Sequence, residues 1–122
     1  MPVLPQQINI VIACGGQWPQ GYTLTNDDGT PMDLSTAVFE LVIRPTVTDV
    51  TEPALVSVTS AASSNQGYIT ITGNVVLVVL SPTATALLGA GARPYALWLD
   101  PGLSDATPIV VGTCFSDLVA AA

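Results

Sequence analysis

A chain of 122 residues with two cations, nine carboxylates and no histidine has a formal charge of −7, which excludes a basic nucleic-acid stripe and attraction to anionic membranes. The length suits one domain over residues 1–122, and an apolar share of 49% excludes a disordered chain. Charged residues make up 9% where about 25% is usual, so uncharged polar side chains or partner chains are expected to cover the apolar excess.

The opening Met1-Pro2-Val3-Leu4-Pro5 has no basic segment and no long apolar run, so synthesis and folding in a cytosol are expected. The first strand is expected over 7–13, with Ile8, Ile10 and Ile12 on one face. After Gly15, Gly16 and Trp18 comes a short strand over 21–25 with Tyr22 and Leu24 inward. Asn26-Asp27-Asp28-Gly29 reads as a turn, because these residues tolerate positive φ. The strand over 37–44 alternates clearly: Phe39, Leu41 and Ile43 point one way, and Val38, Glu40, Val42 and Arg44 the other. Pro45 ends it, and 46–54 is expected as a loop holding Asp49, Glu52 and Pro53.

A strand over 55–59 turns Val56 and Val58 inward, and 61–67 is a turn of small residues. In the strand over 68–72, Ile69 and Ile71 face in while Tyr68, Thr70 and Thr72 face out. Gly73-Asn74 makes a two-residue hairpin connection. The strand over 75–80 has no polar position and is far too short to span a bilayer. Ser81-Pro82 signals a helix start, an N-cap with proline at the first helical position. The helix is expected over 82–88, with Ala84, Leu87 and Leu88 on its inner side, and Gly89 and Gly91 stop it. A strand over 95–100, a turn over 101–105 and a last strand over 109–115 complete the chain. About eight short strands, one helical turn and no repeat or linker describe an all-β domain, an Ig-like antiparallel β-sandwich.

The chemistry expected of such a chain is meagre. Without histidine the usual catalytic triads and most metal sites are missing. Asp28-Gly29-Thr30 is the wrong order for an aspartic protease and lacks the alternating carboxylates of an EF-hand. Gly15-Gly16 and Gly89-Ala90-Gly91 have no lysine to complete a phosphate loop. The expectation is therefore no enzyme, with no catalytic, cofactor-binding or metal residue. Cys14 and Cys114 have two readings, as two small buried hydrophobes or as a bond tying first strand to last.

What remains is contact. In the strand over 95–100 the inward set is Tyr95, Leu97 and Leu99, which puts Trp98 on the other face with Ala96 and Asp100. An outward Trp is common in interfaces, though packing beneath a loop of its own chain also covers it. The strands over 75–80 and 109–115 are apolar on both faces, where a sandwich strand usually keeps one wet face. Arg44 and Arg93 fit either a carboxylate of a partner subunit or an internal pair with Glu40, Asp49 or Asp100. The candidate partner interface is thus Trp18, Trp98, Arg44, Arg93, Val76, Val78 and Val110.

One stretch resembles a known family. Gly16-Gln17-Trp18, Tyr22-Thr23-Leu24, Asp27 to Ser35 and Val38 to Arg44 are similar to the N-terminal β-sandwich of baseplate upper proteins and tail-fibre attachment domains of tailed bacteriophages. Leu80-Ser81-Pro82 with Leu87-Leu88, Arg93 to Leu99 and Val111 to Phe115 agree in style, so the resemblance covers most of the chain. It implies a virion structural protein at the tail tip, working as a homo-oligomer (a trimer being one candidate) with other phage structural proteins as partners. It brings no catalytic residues. The chain ends at Ala122 without a receptor-binding portion, which favours an adaptor, baseplate accessory or decoration subunit over host recognition. A capsid decoration or head–tail protein is the nearest rival. A carbohydrate-binding module stacking sugars on Trp18, Trp98 and Tyr95 is another, from a different class.

Overall fold

The computed structural model describes residues 6–26, 28–44, 54–100 and 106–117. Residues 46–53 of the expected loop over 46–54, the turn over 101–105, Pro45 and Asp27 lie outside these residues. Nine strands and one short helix follow in order: β1 Gln6–Gln7, β2 Ile10–Ala13, β3 Trp18–Thr23, β4 Phe39–Ile43, β5 Val56–Thr59, β6 Gly67–Thr72, β7 Val75–Leu80, α1 Pro82–Ala86, β8 Gly91–Leu99 and β9 Thr107–Asp117. They form two sheets. The larger runs β1-β9-β8-β4-β5 with β2 also on β9, and the smaller runs β3-β7-β6. In an immunoglobulin-type sandwich β3, β7 and β6 take the places of strands B, E and D, and β4, β8 and β9 those of C, F and G.

Period-two alternation fills the space between the sheets. Phe39, Leu41 and Ile43 of β4 are buried, as are Val56 and Val58 of β5, Tyr95 and Leu97 of β8, and Val76, Val78 and Leu80 of β7. These belong to one core cluster with Ile10, Ile12, Tyr22, Leu24 and Ile69. The alternation expected for β4, β5, β6 and β8 is therefore the alternation found.

The first strand departs from expectation in two ways. It is split at Ile8-Asn9, and it runs parallel to β9, whereas every other pairing is antiparallel. No hairpin joins first strand to last, so no turn imposes an antiparallel arrangement. Register is nonetheless continuous across the split: Gln6 faces Val110, and Ile10 faces Cys114. At the break the Ile8 amide still donates to the Val111 carbonyl (2.9 Å). The Thr113 amide, however, donates to Asn9 Oδ1 (3.0 Å), and the Ile8 carbonyl turns inward to accept the Tyr95 hydroxyl.

The same register settles the cysteines. Cys114 faces Ile10, and Cys14 lies four residues farther along, roughly 13 Å at about 3.3 Å per residue. A disulfide tolerates Cα separations of up to about 7 Å. Both thiols are free; Cys114 is buried, and Cys14 is half-buried with Sγ near the Gly89 carbonyl.

The helix is two residues shorter than expected, spanning Pro82–Ala86. Ser81 caps it, its Oγ accepting from the Ala84 amide (3.2 Å), and Pro82 opens it. Its buried side is Ala84, Thr85 and Leu88, while Leu87 is 52% exposed. Thr85 causes this rotation. Its hydroxyl donates to the Gly16 carbonyl (2.7 Å) and accepts the Gly15 amide (3.0 Å), tying α1 to the β2–β3 turn. A threonine satisfied this way can be buried without cost from its hydroxyl, and turning it inward swings Leu87 out.

Candidate partner interface

Strand parity separates core from outer face except at Val79 and at the Ile109-Val110 bulge, and this sorts the seven sequence candidates. Val76, Val78 and Val110 are 0% exposed and cannot meet a partner. On β7 the inward parity falls on Val76, Val78 and Leu80, leaving Val75, Leu77 and Val79 on the outer side, the first two each 37% exposed and Val79 4%. On β9 a register shift opposite Leu97 and Trp98 places both Ile109 and Val110 inward, as a β-bulge does when two residues oppose one. Trp18 sits at the start of β3 in register with Leu80 and packs against the core cluster.

Trp98 and Arg44 do come together. The outer face of the larger sheet is built in rows fixed by strand register. Glu40 aligns with Trp98, Val42 with Ala96, and Ala96 with Val111. The Arg44 amide donates to the Pro94 carbonyl (3.1 Å), and Pro94 aligns with Thr113. The next row is Ala92, Phe115 and Val11, the last two 44% and 68% exposed. An open groove of about 650 Å³ lies on this face, lined by Val42, Arg44, Pro94, Ala96, Trp98 and Val111 among others. Arg93 borders it but has the opposite parity, sharing its row with buried Cys114. Its Nη1 is buried without a hydrogen-bond acceptor among the described residues.

Charge is almost absent here. Among the described residues Glu40 and Arg44 are the charged side chains of the rows around the groove, Asp117 standing one row beyond Phe115, and Glu40 accepts the Ser57 hydroxyl (3.2 Å). The remaining carboxylates among the described residues occupy turns and strand ends: Asp28, Asp33, Asp100 and Asp117. Hydrogen bonds hold two of them below the usual carboxylate range, from the Thr30 hydroxyl and amide to Asp28 and from the Ser35 amide to Asp33. The outer face of the smaller sheet is also apolar or merely polar, with rows Pro19-Val79-Tyr68, Gly21-Leu77-Thr70 and Thr23-Val75-Thr72.

The aromatic platform for sugar stacking is not assembled. Trp98 faces outward, but Tyr95 is 4% exposed with its hydroxyl on Ile8, and Trp18 belongs to the other sheet. Among the described residues no three His, Cys, Asp or Glu side chains gather as metal ligands.

The interior holds its own titratable cluster. Tyr22 from β3 and Tyr95 from β8 lie near Cys114, and burial raises all three pKa values, that of Cys114 from 9.0 to about 11. The protonated forms are the ones the fold favours. In the unfolded chain the thiol titrates near its ordinary value of 9.0, so the stabilisation is complete below that pH and is lost as pH rises towards 11. Thermal unfolding followed between about pH 8 and 11 should show a falling midpoint, with a shallower fall for Cys114→Ala. An unchanged slope in that variant would remove the thiol from the account.

No protein-family model matches the chain, and no curated protein matches it.

Proposed function

We propose that this chain is a non-enzymatic structural subunit of a tailed-phage or prophage particle, placed in the tail-tip or fibre-attachment region, and that it acts by docking to other protein subunits. The observation that carries the docking is the outer face of the larger sheet: Trp98, Val42, Ala96, Val111 and Pro94 form one nearly uncharged surface around a groove. Interface centres combine an aromatic anchor with few charges in this way. The virion assignment rests on the residue resemblance from Gly16 to Arg44 and from Leu80 to Phe115. The sandwich fold agrees with what that resemblance implies.

Ala96→Arg tests both parts. Ala96 points away from the core between Val42 and Val111, so an arginine there leaves the fold intact and blocks the face. Mass spectrometry of purified particles should find the wild-type chain at fixed stoichiometry and the variant absent. A low copy number supports the tail and a high one the capsid shell. Incorporation of Ala96→Arg at the wild-type level would sink docking through this face, and a chain missing from all particles would sink the virion reading.

A further inference from the structure

The outer face of the larger sheet matches itself under two-fold rotation. On β4, Glu40 and Arg44 flank Val42, two residues to either side. On β8, Trp98 and Pro94 flank Ala96 in the same way, and register places Val42, Ala96 and Val111 in one row. An axis running across the strands along that row exchanges the rows on either side of it. Glu40 then meets Arg44 of a second copy and Trp98 meets Pro94 of that copy, each contact occurring twice. The strands of the two facing sheets lie near antiparallel, within the aligned packing that sheets prefer.

Building on the docking role proposed for this face, we infer that its occupant is a second copy of this chain, packed sheet against sheet about that two-fold axis. An isologous contact requires a surface complementary to itself, and one carboxylate and one guanidinium placed symmetrically about an apolar row satisfy that requirement. A strongly basic or strongly acidic partner would find a single opposite charge here. The charge of −7 makes copies repel in most orientations. Among the described residues the face itself presents one charge of each sign, Glu40 and Arg44, and the other carboxylates, Asp28, Asp33, Asp100 and Asp117, stand in turns and at strand ends. Glu40 and Arg44 also make contacts within their own chain. A carboxylate with about four lone-pair sites and a guanidinium with five donors have capacity for a second partner.

Sedimentation velocity on the full chain at micromolar concentration should give twice the chain mass. Glu40→Arg and Arg44→Glu, each alone, put like charges opposite one another and should weaken the dimer at least ~10-fold. The double variant exchanges the two charges and should return to within about three-fold of wild type, on the additivity expected for an intact pair. Ala96→Arg, whose residue lies on the axis, should be monomeric, and circular dichroism checks that each variant is folded. A monomeric wild type, single variants that dimerise normally, or a double variant that stays monomeric would each overturn the two-fold pairing. Failure of the broader docking role reads differently: if wild type is monomeric but Ala96→Arg still drops out of particles, the face docks a different protein and only the self-pairing falls.

Discussion

Gly112→Ala should destabilise the domain by about 3 kcal/mol or more, at or beyond the upper end of the usual cost of overpacking. A Cβ at this position would stand 2.1 Å from the Ile8 carbonyl oxygen and 2.8 Å from its carbon. Both obstacles are backbone, so no side chain can swing aside. The carbonyl is there because it turns inward to the Tyr95 hydroxyl, and only a residue without Cβ lets the strand pass so close. Making room requires β1 and β2 to lift off β9, which breaks the Tyr95–Ile8 and Thr113–Asn9 hydrogen bonds and opens the cover over Ile10 and Ile12, now 4% and 0% exposed. Urea unfolding measures the loss. Gly16→Ala is the control, since its nearest added contact is 3.6 Å, and should stay within about 0.5 kcal/mol of wild type. Equal stability of the two variants would contradict the account.

Phe39→Ala should cost a similar amount, about 3–5 kcal/mol. Phe39 is fully buried at the start of β4, and its backbone is held twice by Ser60, just beyond β5. Its amide donates to the Ser60 hydroxyl (2.9 Å) and its carbonyl accepts the Ser60 amide (2.9 Å). With the backbone held, the walls cannot close on the space a ring leaves, and the cavity contributes in full. Leu87→Ala is the informative contrast. The expected helix turned Leu87 inward, but it is 52% exposed, so its truncation should change stability by less than about 0.5 kcal/mol. Chemical denaturation of the two variants decides, and a large loss in Leu87→Ala would restore the inward placement.

Legibility followed the range of the signals. Alternation along β4, β5, β6 and β8 is local, and so are the Ser81-Pro82 start and the Gly73-Asn74 hairpin, where Gly73 takes φ +61°. All were readable in the residues. The parallel pairing of β1 and β2 with β9 joins segments at opposite ends of the chain, and no local pattern encodes it. The rotation of α1 depends on Thr85 reaching Gly15 and Gly16, which periodicity cannot show. Within the interface, Trp98 was found by parity alone. Val76 and Val78 were misplaced because parity on an all-apolar strand has no polar residue to mark its outer side, although counting back from the hairpin would have paired Val76 with Ile71 inside. Val110 was misplaced because a bulge in β9 shifts parity at that point. Ala96 and Pro94 carry neither charge nor a large apolar surface that would mark them in the sequence, yet they shape the groove.

The parallel docking of β1 and β2 also sets a timetable. Gln6 leaves the ribosome about 100 residues before its partner Val110, a wait of roughly 5–20 s at ordinary translation speed. Through that interval Ile10 and Ile12 have no sheet to join, and the nascent polypeptide holds a sticky segment in readiness. Closure of the sandwich over Ile10 and Ile12 accordingly waits until β9 has emerged, and a chaperone that holds the amino-terminal segment until then should raise the yield of folded protein.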